Sequence, residues 1–209
     1  MEILVFGASG GTGRLIVTQA LARGHRVAAF VRRDDSLAAQ RDLEIVRGDV
    51  GDAVAVAAAI KGREIVISAL GVAKPLQPDP VVRAGVGHIV AAMESSGVRR
   101  LIYLSFIGVS ASRATAGPLI RYVARFPLRH EIADHEQKEE RIRASSLEWT
   151  IVRAPKFTDG PPTGAFRVGE GIRATSFFPR LSRADVAACI LDETQAPRFA
   201  RTAVSLLPA

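Results

Sequence analysis

The chain has 209 residues, 48% hydrophobic and 23% charged, with a formal net charge of +7. That length suits one domain able to bury roughly 70% of its unfolded surface without disulfides or metals, and that hydrophobicity excludes intrinsic disorder. A single cysteine, Cys189, excludes an internal disulfide and a cysteine zinc cluster, so no metal site is expected and a reducing, cytoplasmic setting is.

Strand and helix patterns alternate from the start. Glu2–Phe6 is a short apolar run closed by Gly7; with an acidic Glu2 and no basic stretch it reads as a buried strand, not a secretory leader. Residues 12–23 carry Leu15, Ile16, Ala20 and Leu21 at helical spacing, ended by Gly24. Strands follow over 26–31 and 43–47, then a helix over 52–60 with Asp52 as its N-cap. A fourth strand is predicted over 64–69, a long helix over 80–96 stopped at Gly97, and a fifth strand over 100–105. Residues 109–128 read as a helix over a cleft or a flap. A helix over 131–145 and a strand over 148–153 precede a Pro- and Gly-rich loop, 154–164; a helix over 182–193 capped by Ser182 and a strand over 203–206 complete the chain. Strands apolar on both faces and separated by helices mean a parallel sheet covered on both sides, doubly wound by right-handed crossovers. Residues 1–209 are expected to form one α/β domain. No run of about 18 apolar residues exists, so no membrane span is expected.

The strongest motif is Gly7-Ala8-Ser9-Gly10-Gly11-Thr12-Gly13, placed after the first strand and opening the first helix. Gly7 permits the tight turn, Gly10 lets the backbone approach a pyrophosphate, and Gly13 lets helix and strand pack closely. The helix N-terminus offers unpaired N–H groups and partial positive charge to phosphates, with the Ser9 and Thr12 hydroxyls and Gly11 beside them. The plain alternative is an ordinary strand-to-helix turn. The second strand ends Val31-Arg32-Arg33, where an NAD site usually carries a carboxylate for the ribose 2′-hydroxyl. Guanidinium groups there pair with a 2′-phosphate and favour NADP(H) over NAD(H). Asp34 and Asp35 follow and weigh the other way. Asp49 and Val50 after the third strand, and Ala69, Leu70 and Gly71 after the fourth, fall at the ligand edge of such a sheet. The remaining arginines are scattered, with no long basic run and no aromatic–basic interleaving, so no nucleic-acid partner is expected.

GASGGTGR, VRR, GDV, SALG, YLS and IRASSLEWTIVRAP, in that order, resemble the atypical short-chain dehydrogenase/reductase superfamily, with its Rossmann-type NAD(P)-binding domain, over nearly the whole chain. The small size and residues 158–166 are most similar to its biliverdin-IXβ/flavin reductase group. That resemblance implies NADPH binding and hydride transfer to flavins or tetrapyrroles. A related NmrA-like branch, similar to the fungal nitrogen-metabolite regulator, binds the dinucleotide without obvious catalysis.

The resemblance also shows a departure. The superfamily's Tyr-x3-Lys pair would end at Lys138, but position 134 is Asp134. Carbonyl reduction, which needs a proton donor to an alkoxide, is thus poorly supported. Transfer to a flavin, quinone, tetrapyrrole or other planar conjugated acceptor demands chiefly positioning. Ser105 stands at the superfamily's serine position and His135 at a histidine of the reductase group, as candidate catalytic residues; the alternatives are a strand-end cap and a helix-surface histidine. Lys138, amid Glu136, Glu139 and Glu140, reads as a solvated ion pair. Pro155 and Phe157 are expected to line the nicotinamide site, with Lys156 and Phe106 toward an acceptor that Lys156 would favour as an anion. Trp149 reads as core and Cys189 as an inert buried thiol. A non-catalytic NADP(H) sensor and a nucleotide-dependent epimerase are the competing readings; a monomer is expected, with a dimer as the alternative.

Overall fold

The computed structural model describes residues 1–33, 37–38, 40–71, 79–124 and 128–209. The predicted elements recur with ends shifted by a residue or two. They are β1 (Glu2–Phe6), α1 (Gly11–Ala22), β2 (Arg26–Val31), β3 (Leu43–Arg47), α2 (Ala53–Ile60), β4 (Ile65–Ser68), α3 (Pro80–Ser96) and β5 (Arg100–Phe106). After them come α4 (Arg129–Arg143), β6 (Glu148–Ala154), β7 (Lys156–Thr158), β8 (Phe166–Gly169), β9 (Arg180–Ser182), α5 (Arg183–Gln195) and β10 (Thr202–Pro208).

Among the described residues the main sheet has eight strands in the order β3-β2-β1-β4-β5-β6-β10-β8. All neighbours are parallel except β8, which runs antiparallel to β10 at the edge. Alternation along each strand divides the core into two layers. Ile3, Val5, Val27, Ala29, Ile102, Leu104 and Val152 face α1 and α5. Leu4, Phe6, Ala28, Phe30, Leu101, Tyr103 and Ile151 face the side of α2, α3 and α4. The sheet is therefore buried on both faces, as the near-continuous apolar strands demand. Trp149 and Cys189 lie in these layers as expected, and burial pushes the Cys189 thiol up to about 12.

Helix starts are specified one by one. Asp52 accepts from Val54 N and Ala55 N ahead of α2; Asp79 accepts from Val81 N and Val82 N ahead of α3; Ser182 accepts from Asp185 N ahead of α5. By contrast α1, with Gly10 at its N-cap, and α4 start with no capping side chain, and α1 has no acidic residue in its first turn either. Its N–H groups point out of the carboxyl edge of the sheet.

Three short strands are absent from the sequence reading. The Pro- and Gly-rich segment after Ala154 contains β7, which pairs in parallel with β9 in a separate two-stranded sheet. Strands this short show no alternation for a sequence pattern to register. The segment after Val109 holds a 3-10 turn, Ser110–Ala114, and a π-helical turn, Leu119–Ala124. Ile107, Ala116, Ile120 and Leu207 pack there in a small third core beside Ile172 and Ala174.

Candidate functional site

In the order 3-2-1-4-5-6 the connections reverse direction across the sheet between β1 and β4, and the carboxyl edge at such a switch point is where sheets of this kind bind ligands. The glycine turn stands on one side of that point. Gly7 has φ +78°, and a Cβ on it would lie 2.5 Å from Ala69 O. A Cβ on Gly13 would lie 2.0 Å from Gly7 O. Gly10 N donates to Gly7 O at 3.0 Å, closing the turn under α1. Ser9 is exposed, Thr12 buried, and Gly11 exposed beneath the Arg183 side chain. Arg14 Nε donates to Ser9 O at 2.9 Å and braces the turn from outside.

The other strand ends converge on the same edge. Arg32 and Arg33, exposed, follow β2, which pairs with β1. Asp34 and Asp35 lie outside the described residues. Asp49 is exposed and its carboxylate accepts from Gly51 N at 2.8 Å; Val50 is buried against Gly85 and its carbonyl lies 2.9 Å from His88 Nδ1. Ala69 N donates to Phe6 O at 2.9 Å; Ala69 and Leu70 are half-buried and Gly71 exposed. Residues 72–78, between β4 and α3, lie outside the described residues. Pro155 is buried, Phe157 and Phe106 half-buried, and exposed Lys156 places Nζ 5.4 Å from the Phe178 ring centroid.

Beneath the ends of β5 and β6 is a polar cluster that no single motif announces. Ser105 Oγ donates to Glu139 Oε1 at 2.7 Å. Arg153 donates to both Glu139 oxygens at 3.0 and 2.6 Å, and Arg143 also reaches Oε2. His135 Nδ1 lies 3.2 Å from the Tyr103 hydroxyl and 3.4 Å from Ser105 Oγ. Burial, then Glu139 and Asp134, hold the Tyr103 phenol well above its ordinary range, so it stays protonated. The Ser105 proton goes to Glu139, and the direction of the Tyr103–Nδ1 hydrogen bond follows the tautomer of the ring.

Two expectations are corrected here. Lys138 is no solvated pair with its glutamate neighbours: it is buried and bonds Asp134 Oδ2 at 2.6 Å, within one helical turn. His135 is half-buried and bonded inward rather than lying on the helix surface. Burial, then the Lys138 charge, lowers its pKa to about 3. The ring is neutral at physiological pH and is no imidazolium acid. The unfolded chain binds that proton more readily between pH 6.5 and about 3, so this stabilisation is complete above 6.5 and lost as pH falls toward 3. His135→Asn, which keeps an acceptor for Tyr103, is expected to flatten the melting temperature's dependence on pH in that window. An unchanged slope in melting curves would contradict a buried neutral ring.

The residues present fit a dinucleotide. The turn is built so that backbone fills the space where side chains would stand, the helix above it is uncapped, and guanidinium groups stand at the next strand end. Sequence reasoning gives no role to Tyr103, Arg143 and Arg153, because the cluster joins β5 and β6 to α4, elements well separated in the chain.

Residues 7–197 match the sequence profile of a family described as NAD(P)H-binding. The chain is 32% identical to an uncharacterized chloroplastic protein of Arabidopsis thaliana over 78% of its own length and 61% of that protein's. It is 29% identical to a (4-alkanoyl-5-oxo-2,5-dihydrofuran-3-yl)methyl phosphate reductase of Streptomyces griseus, over 90% of this chain and 58% of that one. The chain thus spans only about three fifths of these two curated relatives. Among solved structures it is similar to ChuY, an anaerobillin reductase of Escherichia coli O157:H7, with 27% identity, a TM-score of 0.84, and coverage of 100% of this chain and 97% of that one.

Proposed function

The chain belongs to the NAD(P)H-binding family, and from that premise we propose that it is an NADPH-dependent reductase passing hydride to a planar conjugated acceptor such as a flavin, quinone or tetrapyrrole. One observation carries the choice of acceptor. The position of the superfamily's tyrosine is occupied by Asp134, buried and ion-paired to Lys138, and the neighbouring His135 is a neutral ring. No phenol stands at that position to hand a proton to an alkoxide. When bound, the dinucleotide supplies the hydride. The chain's own residues hold and orient: the glycine turn takes the phosphates, and Pro155 and Phe157 wall the nicotinamide side. Ser105 and His135 form the polar floor, and Phe106 and Lys156 flank the acceptor. An acceptor that delocalises the incoming charge takes its proton from water. The reductases among the similar proteins, one acting on a furanone phosphate and one on anaerobillin, support the reaction class.

Arg32 and Arg33 are proposed to hold the 2′-phosphate, and Asp49, Val50, Ala69, Leu70 and Gly71 to border the adenine and riboses. Reversing both charges, Arg32→Glu with Arg33→Glu, is expected to weaken NADPH binding by about a hundredfold and leave NADH within a few-fold, as two charge-assisted contacts are lost. Fluorescence titration with both nucleotides checks this; equal losses would refute the assignment. Absorbance decay at the reduced nicotinamide band, with riboflavin phosphate and simple quinones as acceptors, tests the reaction. Tight NADPH binding with no turnover on any of them would make the chain a nucleotide sensor.

A further inference from the structure

Arg183 opens α5, yet its side chain turns back over the glycine motif. A Cβ on Gly11 would fall 2.9 Å from Arg183 Nε and 3.1 Å from Cδ. The guanidinium stands 5.6 Å from the Phe157 ring centroid, and Nη1 pairs with Asp159 Oδ1 at 2.5 Å. One cation therefore spans the gap between the uncapped N-terminus of α1 and the segment carrying Pro155 and Phe157. Asp185, two residues on, is not its partner; that carboxylate already accepts from Thr163 N, Thr163 Oγ1, Gly164 N and Ser182 Oγ.

The Arg183–Asp159 pair is easily exchanged. The Asp159 side chain is 92% exposed and that of Arg183 28%. An ion pair with one partner in water contributes little. A diphosphate offers two negative charges to a planar fork that is itself mostly shielded from water, which is the stronger interaction. Gly11 matters here too, since a side chain at that position would push the guanidinium away from the turn.

We propose that Arg183 is a ligand of the dinucleotide's pyrophosphate, and that Asp159 competes with the phosphates for the same guanidinium. This rests on the reading of the carboxyl edge as a nucleotide site. Arg183 then closes the cofactor in from the α5 side, joining its phosphate half to its nicotinamide half, and Asp159 tunes how readily the nucleotide exchanges.

The test is fluorescence titration of the full chain with NADPH, and competition by 2′-phospho-ADP-ribose, which has the diphosphate but no nicotinamide. Arg183→Gln is expected to weaken both ligands about tenfold, with Arg183→Lys, which keeps charge without the fork, in between. Asp159→Asn is expected to tighten both by up to about fivefold at low salt. That gain should vanish in the Arg183→Gln background. Unchanged affinity for 2′-phospho-ADP-ribose in Arg183→Gln overturns the proposal, as does an Asp159→Asn gain that persists without Arg183. If Arg183→Gln fails to fold, Arg183→Lys with and without Asp159→Asn gives the same comparison. A native chain that binds neither NADPH nor NADH overturns the nucleotide reading itself.

Discussion

A single methyl group on Gly13 is expected to abolish nucleotide binding and to lower stability by at least about 2 kcal/mol. For a domain of this size that is a fall in melting temperature of roughly 4–8 °C. The added Cβ would stand 2.0 Å from Gly7 O, 2.8 Å from Gly7 C and 2.9 Å from Ala8 Cα. All three are backbone atoms of the turn itself, so no side chain can swing aside. Either α1 lifts from β1 or the turn opens, and both withdraw the α1 N–H groups from the phosphates. Gly24→Ala is the informative contrast. Gly24 also has a positive φ, +78°, but a Cβ there meets nothing within 4 Å. It is expected to cost about 1 kcal/mol in backbone strain and to leave binding intact. Thermal melts and NADPH fluorescence on the two variants separate the steric role from the conformational one.

Features of this kind were open to reading in the residues. A glycine forced by close approach sits in a motif whose spacing is local. The strands of the main parallel core declare themselves by continuous apolar runs, and α2 and α5 by Asp52 and Ser182 at their starts. Illegible features depend on partners distant in the chain. Lys138 looked solvated because Glu136, Glu139 and Glu140 flank it in sequence, yet helical geometry turns it inward with Asp134, one turn before it. Arg183 carries no local signal, since its nearness to the glycine turn comes from the packing of α1 against α5. The strands β7, β8 and β9 are held by pairing rather than by their own composition, as Lys156–Arg180 and Phe166–Pro208 register shows.

Glu139→Ala is the second large effect. Glu139 is fully buried, accepts two bonds from Arg153 and one from Ser105, and pairs with Arg143. Arg153 is itself only 5% exposed. Removing the carboxylate leaves a buried guanidinium without its counter-charge, which costs about 3–5 kcal/mol. The loss should appear as a lower denaturation midpoint with an unchanged denaturant slope. Because Ser105 bonds that carboxylate and His135 lies against Ser105, the variant should also raise the acceptor's KM at a temperature where the chain remains folded. Wild-type stability in Glu139→Ala would show that the cluster is held together without its central acid.

The Asp134–Lys138 pair has a bearing on descent. In an interior position each charge is tolerable only with the other, so a mutation at either residue alone strands its partner at a cost of about 3 kcal/mol or more. A tyrosine appearing at position 134 would therefore meet a lysine already committed to the core, and stability would fall before any new chemistry appeared. Lys138 is common to this arrangement and to the superfamily's Tyr-x3-Lys, so the two differ by the one residue at position 134. That single exchange is the step the buried ion pair penalises, because it removes the carboxylate and leaves the lysine in the core.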